Sequence, residues 1–485
     1  LIGPEPQSLA PPSGSDPPAW KWLLALLCLT LSALLWIDGL AGSLERPSVV
    51  DSLSLRQLEL SALAAETLPV PLRPALVGTD PRGELAKELQ RQIEAEETPA
   101  PALQRLELAL LKRSAVAEPV PAPAAGQSGR AMDALPALIE TVDAERRPLL
   151  QALIEGRTVD PAQRRRLLDP WDAPALVEQL SCEQLGGPAP SCPARADRSR
   201  LALQLIGVNV MPALLALIGY GLLLRQAWLK WRPGTMEGDP RSYPPLHGPP
   251  LTLVDVTLLI AGGFVLLGEV VVPLLAEPLL RSALKPLQLP GALDQAAVVM
   301  ALYLSLMAAP LAILWLMLRR MTMPAVGGWL QWYWRPLASA LRQAAAMLLM
   351  VLPLVALTSW LIERLWGDPG GSNPLLELVL TSSDPLALAL FAFTAVILAP
   401  LFEETLFRGV LLPVMGEKFG APVAVLASAA VFAVAHLSLG ELAPLFVLGI
   451  GLGWLRWRTG RLACCTLMHA LWNGLTFANL LLLAG

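Results

Sequence analysis

Long apolar runs separated by short polar breaks fill most of the chain, several of them exceeding the roughly 18 to 20 residues that cross about 30 Å of hydrocarbon. The first covers residues 20–42, "WKWLLALLCLTLSALLWIDGLAG", and further runs lie near 201–224, 252–276, 296–318, 341–362, 385–412, 420–438, 442–457 and 463–484. Residues 43–198 follow a different rule. There charged and apolar positions alternate at helical spacing, as in "ELAKELQRQIEAEE" and "AQRRRLLDPWDAPALVEQL", and Pro-rich breaks such as "EPVPAPAAG" divide them. The pattern predicts an all-α protein, a polytopic transmembrane helical bundle with an extracytoplasmic, mostly helical soluble domain. Its expected divisions are a disordered arm over 1–19, a transmembrane anchor over 20–42, the soluble domain over 43–198, transmembrane helices and loops over 201–380, and a C-terminal core over 381–485.

Composition sharpens this. Hydrophobic residues are 54% of the chain and charged residues 16%, against about a quarter charged in soluble proteins. A net charge of -4, without a basic, aromatic-interleaved cluster outside the membrane flanks, argues against a nucleic-acid partner. The first run is longer than a signal-peptide core and no small-residue cleavage site follows it, so it reads as an uncleaved anchor. The sequence begins at Leu1 rather than Met, which fits an alternative start codon or a truncated chain.

Lys and Arg set the expected orientation. "RQAWLKWR" (225–232), Arg319 with Arg320, and "RWRTGR" (456–461) fall at alternate turns, which the positive-inside rule makes cytoplasmic. The soluble domain is then outside a membrane of the bacterial cytoplasmic type. Cys182 and Cys192 sit in a Gly/Pro-rich loop of that domain and are a disulfide candidate for an oxidising compartment, two unpaired thiols being the alternative. Cys28, Cys464 and Cys465 read as small apolar residues of the spans. The Trp-rich "GGWLQWYWRP" (327–336) predicts an interfacial helix, and a docking surface for a lipid-attached substrate is a second reading of it.

The polar residues inside the spans carry the candidate chemistry, because an ionised side chain at mid-membrane costs roughly 2.5 to 3.5 kcal/mol on insertion scales. In "APLFEETLFRGVLLP" (399–413), Glu404 and Arg408 are spaced i, i+4 and can pair on one helical face, which leaves Glu403 without a counter-ion on its own helix. A partly buried carboxylate suits a general base. The alternative is a helix end with all three charges reaching into water. The chain holds only three histidines. His247 lies in a proline-rich loop and reads as solvated, whereas His436, one turn after Phe432, and His469, one turn before Asn473, lie in apolar runs.

"EETLFR", "FAVAH" and "HALWN", in that order inside apolar spans, resemble the three motifs of the CPBP intramembrane proteases. That family includes the CAAX prenyl endopeptidases, or Ras-converting enzymes, and the Abi and bacteriocin-processing relatives. The resemblance covers residues 385–485 and implies a membrane-embedded endopeptidase opening toward the cytoplasm, acting on a membrane-associated or lipidated protein. Residue by residue it implies that Glu403 deprotonates the attacking water, His436 holds that water and shuttles its proton, and His469 and Asn473 donate to the oxyanion. Glu404 with Arg408 would support Glu403. Members are labelled metalloproteases, so zinc held by Glu403, His436 and His469 is possible, although the tight His-Glu-x-x-His pattern is absent. Helix positions bring Glu403, His436 and His469 together only if the 385–412 helix runs deep and the helices tilt, and Pro400 offers a kink. A non-catalytic scaffold and a proton-coupled transporter remain as alternatives. The resemblance assigns no partner to the soluble domain.

Overall fold

A computed structural model describes residues 17–46, 49–65, 68–95, 102–116, 147–155, 157–168, 175–186, 192, 198–231, 246–319, 321, 327–366 and 374–484. The expected disordered arm up to residue 16, the break at 118–126 and Arg320 lie outside them. The described residues form helices and loops without a strand, in two compact units: one built from the first 49 residues and 214–484, the other from 50–213.

The first helix, α1 (Ala19–Ser43), belongs to the membrane unit. In the second unit, the main helices are α2 (Val49–Ala64), α3 (Pro81–Ala95), α4 (Ala102–Val116), α5 (Arg147–Ile154), α6 (Pro161–Leu168) and α7 (Ala175–Gln184). Four of them place leucines four apart on one face. Leu85 and Leu89, Leu106 and Leu110, Leu149 and Leu153, and Leu176 and Leu180 share one core. Cys182 and Cys192 are joined by a disulfide with Cα atoms 5.7 Å apart, and Arg82 forks onto the Glu183 carboxylate at 3.0 and 3.1 Å.

The chain then runs through α8 (Arg200–Leu229), α9 (Leu253–Leu287), α10 (Gly291–Leu318), α11 (Leu337–Trp366), the short α12 (Pro374–Thr381), α13 (Pro385–Phe419), α14 (Ala421–Val434), α15 (Leu439–Thr459) and α16 (Leu462–Ala484). Among the described residues, eight helices are long and apolar enough to cross a membrane. The run at 420–438 is not one of them. Its helix, α14, has 14 residues and reaches about 21 Å at 1.5 Å per residue, short of the hydrocarbon thickness. It starts where α13 ends, and α15 returns beside it. Gly449 makes that return possible, since a Cβ there would lie 2.9 Å from the backbone of Ala429. Small residues let membrane helices approach this closely.

A second correction concerns 327–336. No interfacial helix forms there. Gly327 and Gly328, and also Gln331 and Tyr333, have positive φ, so the segment is an irregular loop, with Gln331 fully buried. Buried irregular backbone needs donors, and two arginines supply them. Arg456 donates to the carbonyls of Leu330 and Gly460, and Arg461 to those of Tyr333, Trp334 and Pro336. Both are fully buried rather than lying at a headgroup surface. His247 N–H donates to the Gln331 side chain and Gly248 N–H to Glu417, which gathers the loops after α8, α10, α13 and α15 at one end of the membrane unit.

The second unit carries a pH-sensitive core position. Glu107 is 4% exposed, its Oε1 has no hydrogen-bond partner, and burial, with the negative charge of Glu59 as a lesser cause, pushes its carboxyl up to about 8. The unfolded chain ionises this group near 4.5. Its contribution to folding stability is therefore largest below pH 4.5 and is lost as the pH rises toward 8. We expect Glu107→Gln to raise the melting temperature of this unit at pH 8, with little effect at pH 4, in thermal proteolysis of the full chain. Equal shifts at both pH values would refute this origin.

Candidate active site

The site forms where α13 passes the end of α14 and the first turns of α16. α13 is not a uniform α-helix, because its stretches Phe393–Leu398 and Thr405–Leu411 are π-helical and enclose the α-helical Ala399–Glu404. The wide turn preceding Pro400 accommodates a residue that cannot donate a helical hydrogen bond. Adjacent residues on a helix diverge by about 100°, so Glu403 and Glu404 face different neighbours.

Glu404 turns into the protein. It and Arg408 are both fully buried, with Arg408 Nη1 donating to Glu404 Oε1 at 2.9 Å. The same oxygen accepts from His469 Nδ1 at 2.9 Å. Arg408 also donates from Nη2 to the Gly449 carbonyl at 3.2 Å, and its guanidinium lies 4.4 Å from the centre of the Phe432 ring. One carboxylate thus ties α13, α15 and α16 together, with α14 held through the ring.

Glu403 points the other way and keeps 16% of its side chain exposed. Its Oε2 is buried without a hydrogen-bond partner and lies 4.0 Å from Nε2 of both His436 and His469. The tautomers follow from the opposite ring nitrogens. His436 Nδ1 is 2.8 Å from the Phe432 carbonyl, and His469 Nδ1 faces the Glu404 carboxylate. Both partners only accept, so both Nδ1 atoms donate, and in the neutral rings both Nε2 lone pairs face the Glu403 oxygen. The shortness of α14 accounts for the meeting: ending partway, it delivers His436 to the level of Glu403.

The structure therefore brings together Glu403, Glu404, Arg408, His436 and His469. Asn473 is placed one turn after His469 and gives one amide hydrogen to the Ala395 carbonyl at 2.7 Å, a group of the π-helical stretch preceding Glu403. His247 is exposed, away from this group. Sequence reasoning missed Tyr303 on α10, whose hydroxyl donates to Glu403 Oε1 at 3.3 Å and whose ring meets Phe402 edge-on. The available signal was a phenol in the middle of an apolar span. Among the described residues, no group of three or more His, Cys, Asp and Glu side chains is arranged to hold a metal.

Eight membrane-length helices among the described residues define a multi-pass integral membrane protein, within which two carboxylates, an arginine and two histidines cluster. Residues 385–475 match the family model described as type II CAAX prenyl endopeptidase Rce1-like. Residues 50–203 match a domain of unknown function, DUF8675. Neither the curated proteins nor the solved structures include a match to the chain.

The energetics of Glu404 give a stability prediction. Removing one partner of a buried ion pair leaves an uncompensated charge and costs about 3 to 5 kcal/mol. Glu404→Gln should destabilise the protein by that order in detergent unfolding curves, whereas Glu404→Gln combined with Arg408→Leu should recover much of the loss. A single variant as stable as the parent would contradict the burial of the pair.

Proposed function

We propose that the protein is an intramembrane endopeptidase that hydrolyses a peptide bond of a membrane-associated or lipidated protein with a water activated by Glu403. The observation that carries this reading is the Glu403 Oε2 atom, buried without a partner and flanked at 4.0 Å by two imidazole nitrogens. This reading requires a water that donates to that oxygen and to Nε2 of His436, at about 2.8 Å from each. Tetrahedral zinc would need ligand atoms roughly 3.3 to 3.5 Å apart, given metal–ligand distances of about 2.0 to 2.2 Å. The donors as placed are too widely spaced, so no step is assigned to a metal.

In the proposed reaction Glu403 takes one proton from the water, and the oxygen attacks the scissile carbonyl carbon. Negative charge moves to the carbonyl oxygen. His469, as an imidazolium whose Nδ1–H is held by Glu404, and the second amide hydrogen of Asn473 would stabilise it there. Collapse breaks the C–N bond, and the proton held by Glu403 passes through His436 to the leaving amine. Tyr303 holds the other oxygen of the base. Glu404 and Arg408 fix the backbone and the His469 ring, without themselves touching substrate.

The proposed setting is a bacterial cytoplasmic-type membrane with the site opening to the cytoplasm and the 50–213 unit outside. The exposed Arg319 and Arg458, at the ends of α10 and α15 whose following loops meet, support that orientation, and the disulfide supports an oxidising location for the second unit.

Glu403→Gln should abolish most peptide cleavage in reconstituted bilayers while leaving the melting temperature and substrate binding nearly unchanged. His469→Ala and Asn473→Ala should each lower turnover about a hundred to a thousandfold, and chelators should have no effect. Wild-type cleavage by Glu403→Gln would sink the proposal, while zinc lost in step with activity in His436→Ala would replace the water mechanism by a metal one. For orientation, a membrane-impermeant thiol reagent applied to intact cells should label Cys182 and Cys192 only after reduction. Protection of both after reduction would reverse the topology.

A further inference from the structure

The first span lies outside the segment that matches the protease family, yet its C-terminal end grips the turn that follows His436. Leu437 has φ 49°, a left-handed conformation that a branched side chain adopts only where its surroundings impose it. Those surroundings come from α1 and the residues just after it. Arg46 Nη2 donates to the Leu437 carbonyl and, at 3.5 Å, to that of Gly39. Ser43, fully buried, accepts from Leu439 N–H at 3.1 Å. The Leu437 side chain lies over Gly39, where a Cβ would stand 3.1 Å from both of its methyl carbons. Ser438, between the two gripped residues, caps α15 by accepting from Glu441 N–H.

His436 is the residue immediately before this gripped turn. Its ring is otherwise held by Phe432 on α14, whose carbonyl accepts from Nδ1 and whose ring packs edge-on against it with centroids 4.8 Å apart. A loosened Leu437 would let the ring pivot about that bond and carry Nε2 away from Glu403.

We propose that the end of the first span, through Arg46, Ser43 and Gly39, is a positioning element for His436. The proposal rests on the hydrolase reading for its effect on rate, but the geometry it asserts is independent of activity. It also gives the anchor a role beyond tethering. The chain leaves the grip at Arg46 and begins α2 at Val49.

The small number of histidines makes a direct test practical. In the full-length protein labelled with 15N-histidine in lipid nanodiscs, three imidazoles report. Arg46→Ala should shift or broaden the His436 ring signals and leave those of His469, held by Glu404, in place. It should lower kcat roughly ten- to a hundredfold with KM little changed, and Arg46→Lys, which keeps a donor, should restore part of both. Ser43→Ala should give a smaller displacement of the same signals. The control is Lys21→Ala, which removes a 3.1 Å contact of α1 with Asp255 at the opposite end of that helix and should move neither the His436 signals nor kcat. Unchanged His436 signals in both Arg46→Ala and Ser43→Ala, or equal changes in Lys21→Ala, would overturn the proposal. If Glu403→Gln were fully active while Arg46→Ala still displaced His436 alone, the grip would stand and the hydrolase reading would fall.

Discussion

A carboxylate sealed from water fixes how the helices around the candidate site meet. Glu404 Oε1 accepts from both Arg408 and His469 at 2.9 Å, and neither member of the ion pair has any exposed side chain. Burial of ions is expensive, and such a pair is weak evidence for stability in itself. Its effect here is geometric. With Glu404 fixed, His469 must present Nε2 to Glu403, and with Arg408 reaching the Gly449 carbonyl and the Phe432 ring, α14 and α15 are located relative to α13. The adjacent Glu403 then has the opposite environment, partly exposed and without an arginine.

That division was legible in the sequence because it follows from helical spacing. The i, i+4 relation of Glu404 and Arg408 and the step between adjacent residues suffice to separate a paired carboxylate from one facing elsewhere. His436 and His469 were legible as polar exceptions in apolar runs. The long helices were legible too, since their apolar length decides them.

Other features depended on information that spacing does not hold. Hydropathy alone cannot distinguish α14 from a crossing helix, because the apolar residues of a helix buried between neighbours resemble those facing lipid. The turn that follows it at Leu437 is held by Arg46 and Ser43, from nearly 400 residues away in sequence. Arg456 and Arg461 looked like topology signals. Their burial depends on the carbonyls of 330–336, a partner set created only by the folded loop. Tyr303 likewise becomes part of the site through a contact between α10 and α13.

Arg456 has a further consequence for α13. A π-helical stretch departs from the regular i to i+4 ladder, and buried carbonyls within it require partners from elsewhere. Two such groups in Thr405–Leu411 are satisfied by residues outside the Glu-Glu motif: Ser428 Oγ donates to the Phe407 carbonyl at 3.0 Å, and Arg456 Nε to that of Arg408 at 3.1 Å. The same Arg456 holds the buried loop through Leu330 and Gly460. Guanidinium suits this task because it carries five donors in a rigid fork, whereas a lysine ammonium would offer a compact point charge with no fixed plane. The distortion that follows the two glutamates is thus sustained by α14 and α15. The geometry around Glu403 belongs to the whole bundle and not to the short motif that contains it.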